Sequence, residues 1–172
     1  MSWITTPTSI QRGCGSVDET FASPVRGEGS DAGSARLADE TDTAKWQVWN
    51  DQWSVPIGKS KRKGDRLVFS ISPGEWIVIG GAGPAGAADL THVRAMFRLS
   101  GAGARESLER VCALDLGDQM TPNGAAARTL VAGVAGELVR DDVAGEPSYL
   151  LLMSRSFARS VWDRLLAVTR SV

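Results

Sequence analysis

The chain has 172 residues, room for one domain. Its 19 basic and 20 acidic side chains leave a net charge of −1, which excludes the long-range attraction that draws basic proteins to nucleic acid or to anionic membranes. One His, one Tyr and two Cys exclude a His-rich metal centre or several acid–base centres on this chain.

In chain order, residues 1–36 are rich in Gly, Ser, Thr and Pro and show no apolar period of 2 or 3.6. Such a stretch buries too little apolar surface to offset its ordering entropy, so it is expected to be a disordered or loosely packed N-terminal tail, with residues 37–172 as the domain. Ala44, Trp46 and Val48 alternate with polar neighbours and predict a half-buried strand. The spacing of Trp46, Trp49 and Trp53 allows a short helix as the competing reading. Gly58 to Asp65 is expected to be a turn region. Strands follow at Arg66–Ile71 and Glu75–Ile79, joined at Ser72-Pro73-Gly74, where Pro sets φ and Gly accepts a positive φ. Ala95–Leu99 is a further strand, and Ala104–Cys112 a helix burying Ala104, Leu108, Val111 and Cys112. Arg128–Val131, Glu137–Arg140 and Ser148–Met153 are strands, the last two joined across residues 141–147. An amphipathic helix from about Ser156 closes the chain, with a stripe of Phe157, Val161, Leu165 and Val168. Strands followed by helices, twice over, define an α+β class. A similarity at an offset of 50, Ala38-Asp39-Glu40-Thr41 against Ala88-Asp89-Leu90-Thr91, suggests an internal repeat.

Cys14 and Cys112 are too few for a disulfide framework and are expected to be free thiols. The first residues, Met1 to Pro7, lack the basic and apolar regions of a signal peptide. The longest apolar run, Trp76 to Ala88, is 13 residues long, short of the roughly 20 that span a bilayer. A cytoplasmic protein without membrane or nucleic-acid partners is the expectation.

One motif invites a cofactor. Trp76 to Ile79 run into Gly81-x-Gly83-x-x-Gly86, the wording of a dinucleotide fingerprint. That fingerprint works through a helix starting at the glycines, whose N-terminal amides meet a pyrophosphate. Only residues 87–95 lie between Gly86 and the next strand pattern, and the acid at the right distance, Glu106, falls inside a predicted helix. A surface loop is expected instead. Lys59, Lys61, Arg62 and Lys63 lack the interleaved aromatics of a nucleic-acid site and read as a solvated hairpin tip. His92 has no nucleophile set around it and reads as a structural hydrogen-bonding residue. The doublet Asp141-Asp142 is the one paired-carboxylate candidate of the C-terminal half, and the Val-Ala-Gly-Glu-Pro after it reads as turn chemistry. The six Trp imply either a buried cluster or, where exposed, an interface.

Several segments taken in order resemble a known family: Ser72-Pro73-Gly74-Glu75-Trp76, Asp89-Leu90-Thr91-His92, Phe97 to Ala104, Cys112-Ala113-Leu114-Asp115-Leu116, Arg128 to Val134, and Arg155-Ser156-Phe157-Ala158 leading to Trp162-Asp163-Arg164-Leu165-Leu166. The set is similar to the gamma subunit of heterotetrameric sarcosine oxidase, in the superfamily of the folate-binding domain of the glycine-cleavage T-protein. The resemblance implies a duplicated T-protein fold with mixed or antiparallel sheets and a few helices. It also implies a non-catalytic accessory role beside alpha, beta and delta subunits that carry FAD, FMN, NAD and zinc. Those partners oxidise sarcosine to glycine and pass the one-carbon unit to tetrahydrofolate or release formaldehyde. No catalytic, cofactor-binding or metal residue is assigned to this chain. An exposed Trp-bearing patch would mark the accessory subunit; a concave pocket beside Asp141 or Asp142 would favour the alternative, a stand-alone folate-binding aminomethyltransferase-like protein.

Overall fold

The computed structural model describes residues 23–25, 30–32, 34–49 and 53–171. A six-stranded sheet runs in the order β1 (Ser30–Ala32), β2 (Ala35–Asp39), β8 (Arg94–Ser100), β11 (Ser148–Ser154), β10 (Val134–Arg140), β9 (Ala126–Val131). A five-stranded sheet runs β4 (Lys59–Lys63), β5 (Arg66–Ser72), β6 (Glu75–Ile79), β3 (Lys45–Val48), β7 (Ala88–Asp89). Every pairing within the two sheets is antiparallel. Two helices, α1 (Ala104–Glu109) and α2 (Ala158–Thr169), complete an α+β architecture.

The two-residue strand period sorts side chains into three apolar layers. Ala95, Phe97 and Leu99 of β8 and Tyr149, Leu151 and Met153 of β11 meet α1 and α2, where the Phe97 and Trp162 rings cross edge to face at 5.0 Å between centroids. Met96, Val139, Leu150 and Leu152 point the other way, onto Leu67, Phe69, Ile77 and Ile79 of the second sheet. The outer face of that second sheet carries Val48, Val68, Trp76 and Val78 beneath Trp53 and Val55. Strand β11 lies between two layers, and its first six residues are buried, which is why it reads as a continuous apolar run.

Sequence expectations and structure differ in four places. The expected turn at residues 58–65 contains β4, an edge strand that tolerates four cations because one side faces water. α1 ends at Glu109, and Cys112 bridges to Val131. On α2 the buried stripe is Ala158, Val161, Trp162, Leu165 and Thr169 rather than one beginning at Phe157, which precedes the helix and is exposed. The boundary expected between residues 36 and 37 falls inside β2, and Val25 is fully buried in the helix-side core. The expected tail over residues 1–22 lies outside the described residues, as does Cys14. The helix alternative around Trp46 does not hold, since Trp46 pairs with Val78 in β3.

Both sheets follow one plan. Reading β4-β5-β6-β3-β7 beside β9-β10-β11-β8-β2 sets each strand against a counterpart in the same order, and the last of each series, β7 and β2, runs on in the chain to β8 and β3 of the opposite sheet. The Asp-x-Thr turns on these exchanged strands match atom for atom. Asp39 accepts from the Thr41 amide at 3.0 Å and Asp89 from the Thr91 amide at 2.7 Å, the Asx turn that short polar side chains favour. The Thr41 hydroxyl then accepts from the Met96 amide at 3.2 Å, and the Thr91 hydroxyl from the Lys45 amide at 3.1 Å. At the opposite end, Ser60 N–H donates to Gly124 O at 2.7 Å and Ala126 N–H to Gly58 O at 3.0 Å, a reciprocal exchange around the Lys59–Ala125 bridge.

Candidate functional site

Charged residues inside apolar strands mark where function or architecture demands a partner, because a buried charge must be compensated. Arg98 stands between Phe97 and Leu99 on β8, on the side facing the second sheet. Its Nε donates to Glu40 Oε1 at 2.6 Å, and its Nη1 to Asp141 Oδ2 at 3.2 Å and Ser148 Oγ at 2.8 Å. Asp141, at the end of β10, is buried and also receives Arg62 from the edge of the other sheet, Nε on Oδ1 at 2.9 Å and Nη2 on Oδ2 at 2.5 Å. This two-pronged contact is the strong geometry for an arginine and a carboxylate. Beside it, Asp142 takes Arg140 Nε at 3.0 Å and Nη2 at 3.2 Å, while Arg140 Nη1 reaches Asp118 at 2.6 Å and Thr121 O at 2.8 Å. The hydrogen bond to Asp142, with that to Asp118, raises the Arg140 pKa still further above its ordinary value. The Arg140 hydrogen bond in turn holds the Asp118 carboxyl below the usual range.

Two small hollows flank Arg62. One of about 240 Å³ is lined by Lys61, Arg62, Asn123, Asp141 and Asp142 among others. The other, of about 150 Å³, reaches Glu40, Asp65 and Arg98. The expected doublet therefore does adjoin a concavity. Chemically, though, both oxygens of Asp141 and both of Asp142 already accept hydrogen bonds from arginines. Asp141 thereby joins Arg62 on the edge of one sheet to Arg98 in the other, a cross-brace between the two sheets.

A second candidate lies on the outer face of the five-stranded sheet. Trp46, Trp49, Trp53 and Trp76 gather there, with Trp76 Nε1 donating to Val55 O at 3.0 Å and Lys63 Nζ lying 5.3 Å from the Trp53 ring centre. Trp49 is 59% exposed and Ile57 57% exposed, and both line an open groove of about 540 Å³ with Val55, Pro56, Pro73 and Trp76.

The remaining sequence candidates are dispersed over the fold. No helix follows Gly81-x-Gly83-x-x-Gly86; residues 80–87 form a loop in which Gly81 O accepts the Trp46 indole N–H at 3.2 Å. A Cβ on Gly83 would stand 2.7 Å from the Trp46 ring, so that glycine serves close packing. His92 is exposed in the turn after Asp89. Cys112 is a half-buried free thiol 4.0 Å from the Thr129 hydroxyl. Glu137, which sequence reasoning passed over, is buried with Arg94 at 2.8 Å and Arg128 at 3.4 Å on one oxygen, while its other oxygen has no hydrogen-bond partner among the described residues. Arg62 and Arg98, the partners of Asp141, and Glu40, the partner of Arg98, were also missed. They come from three separate segments, and the available signal was a lone Arg within an apolar strand.

The geometry defines a fold class, two antiparallel sheets packed on each other with two helices over one of them. Among solved structures, the chain is similar to heterotetrameric sarcosine oxidase from Corynebacterium sp. U-96, whose structure holds pyrrole 2-carboxylate. That likeness has a TM-score of 0.70 and 18% identity, and covers 84% of this chain and 88% of that one. It is also similar to the glycine cleavage system aminomethyltransferase T from Bartonella henselae, with a TM-score of 0.62 and 15% identity over 81% of this chain. The chain spans about half of that enzyme, 47% of its length. No family model and no curated protein matches the chain. No helix among the described residues is long and apolar enough to cross a membrane.

Proposed function

We propose that this protein is a non-catalytic accessory subunit, of the gamma type, in a sarcosine-oxidase-type complex. The observation that carries the reading is the end-to-end match, 84% of this chain on 88% of a chain from a heterotetrameric oxidase. In this reading alpha, beta and delta subunits in the cytoplasm hold FAD, FMN, NAD and tetrahydrofolate and convert sarcosine to glycine, and this chain contributes surface. The cross-braced Asp141 and the Trp-bearing outer face support it. The common strand plan, with its paired Asp-x-Thr turns, further supports descent of the domain from a duplicated half. The alternative, a folate-binding aminomethyl-transferring protein, is favoured by the hollow beside Asp141 and Asp142. That hollow, about 240 Å³, is below the ~300–1,000 Å³ of ordinary small-molecule sites. Purification of the tagged full chain from its own cells tests the proposal: recovery with flavin-bearing chains is expected, and recovery without any overturns it. Saturable tetrahydrofolate binding by the chain alone, abolished by Asp142→Ala, would install the alternative.

A further inference from the structure

Among the described residues, the two sheets share a strand plan but not their cover. On the six-stranded sheet, the link between β8 and β9 builds α1 and the chain after β11 builds α2, and both helices seal the outer face. On the five-stranded sheet, the corresponding link spans only residues 49–58 and the chain after β6 only residues 80–87. Neither α1 nor α2 reaches that outer face. Trp49 and Ile57 are consequently left at its edge, over the open groove of about 540 Å³. Past Ile57 lies a second hollow of about 170 Å³, lined by Lys59, Asp115, Met120, Ala125, Ala126 and Leu138 among others, with Met120 70% exposed. Lys59 lines that hollow and pairs with Ser70, which lines the groove, so the two depressions adjoin.

Charge completes the description. Lys59, Lys61 and Lys63 alternate on β4 and share the outer face. Lys63 is tied to Trp53, its Nζ donating to the Trp53 carbonyl at 3.0 Å. Lys59 and Lys61 are exposed and make no ion pair with any described residue. Asp89, at the far edge of the sheet, is engaged by the Thr91 amide. We propose that this outer face is the docking surface for an acidic amphipathic helix of another polypeptide chain, its apolar stripe covering Trp49 and Ile57 and its carboxylates meeting Lys59 and Lys61. A helix is the occupant because helices fill the corresponding place on the other sheet, and exposed apolar patches rimmed by charge are where partners bind. The inference rests on the subunit reading above and names the surface that reading requires. Lysines on an edge strand also prevent strand addition, a duty that glutamates perform equally; reversing the charge therefore separates the two roles.

The test uses the assembly purified through the tagged full chain. Hydroxyl-radical footprinting compares it with the chain alone, and carbodiimide, which joins lysine to carboxylate directly, reports what faces Lys59 and Lys61. Protection of Trp49 and Ile57 by fivefold or more is expected, with exposed Leu130 and Phe157 unchanged. Cross-links from Lys59 or Lys61 to Asp or Glu beside an apolar stripe of a different chain are also expected, and Lys59→Glu/Lys61→Glu should weaken assembly at least tenfold while leaving the chain folded. Unprotected Trp49 and Ile57, cross-links only to a second copy of this chain, or full assembly by the charge-reversed variant would overturn the docking surface and leave the subunit reading intact. A protected, cross-linked complex that carries no flavin would do the reverse. A chain that comes out alone overturns both.

Discussion

Lys45 lies on β3 with its ammonium fully buried, donating to the carbonyls of Thr41 and Thr43 at 2.6 Å each. Burial lowers its pKa from 10.5 to about 8, against the opposing pull of Asp42, Asp39 and Asp89. The unfolded chain keeps this proton up to about pH 10.5, whereas the folded chain gives it up near pH 8. Between those values the unfolded state binds more protons, so stability rises with pH. Below pH 8 both states are charged and the whole cost of burying the ammonium is present, on the order of 3 kcal/mol at about 1.4 kcal/mol per pH unit. Most of it, about 2.5 kcal/mol, is recovered between pH 7 and pH 10. Above pH 10 a second group acts with the opposite sign. Burial raises the Tyr149 phenol pKa, so the unfolded tyrosine ionises first and stability falls. Urea midpoints followed by Trp fluorescence from pH 7 to pH 10 read the effect, with Lys45→Met as the length-matched uncharged control. The native chain is expected to gain stability over this interval and Lys45→Met to lose the slope. A native profile that is flat or falling, or a slope that survives in Lys45→Met, refutes the reasoning.

Five further substitutions probe the same frame. Asp141→Asn should cost about 2–3 kcal/mol in urea unfolding, because it removes the buried charge shared by Arg98 and Arg62. Arg62→Ala, which removes a half-exposed partner, should cost under ~1 kcal/mol, and equal costs would show that Asp141 is not the centre of the brace. Gly83→Ala drives a methyl against the Trp46 ring and should cost about 1–3 kcal/mol by thermal unfolding; a neutral result would mean that the loop does not pack there. Thr41→Val leaves the Met96 amide without its acceptor and should cost about 1–3 kcal/mol by the same measurement, with Thr91→Val costing less because Thr91 is only half-buried. A neutral Thr41→Val would remove the exchanged turns from the account of stability.

Most strands were legible because alternation survives wherever one face is wet and continuous apolar runs mark strands buried twice. Leu67 to Phe69, Trp76 to Ile79 and Ser148 to Met153 show the second pattern. β4 was not legible: Lys59 to Lys63 holds no apolar residue, and its conformation comes from pairing with β5 and from the Lys59–Ala125 bridge. The α2 stripe was misplaced by a quarter turn because Phe157 draws the eye, while the buried positions include Ala158 and Thr169, which hydrophobicity alone undervalues. The site was the least legible part. Asp141 was visible as half of a doublet, but Glu40, Arg62 and Arg98 lie on distant segments, and no spacing rule connects residues that only tertiary structure brings together. The offset of 50 between Ala38-Asp39-x-Thr41 and Ala88-Asp89-x-Thr91 was weak as identity, and what the structure adds is that the Thr41 and Thr91 hydroxyls make equivalent hydrogen bonds, from the Met96 and Lys45 amides.

That exchanged arrangement also explains why chemistry and surface are separated on this molecule. Sheets linked in this way, β2 to β3 and β7 to β8, must be held in register at both ends, by the threonine turns at one and the Gly58–Gly124 exchange at the other. The layer between them can then accept polar residues only where each charge has a partner from the opposite half, as Arg62 has in Asp141. A carboxylate recruited for that purpose is held in place by arginines of both sheets. The helices, in contrast, cover one sheet, and among the described residues no helix packs on the other's aromatic face. Among the described residues, Trp46, Trp49, Trp53 and Trp76 thus stand on the one sheet face that neither helix covers, while Trp162 is buried on the helix-covered side.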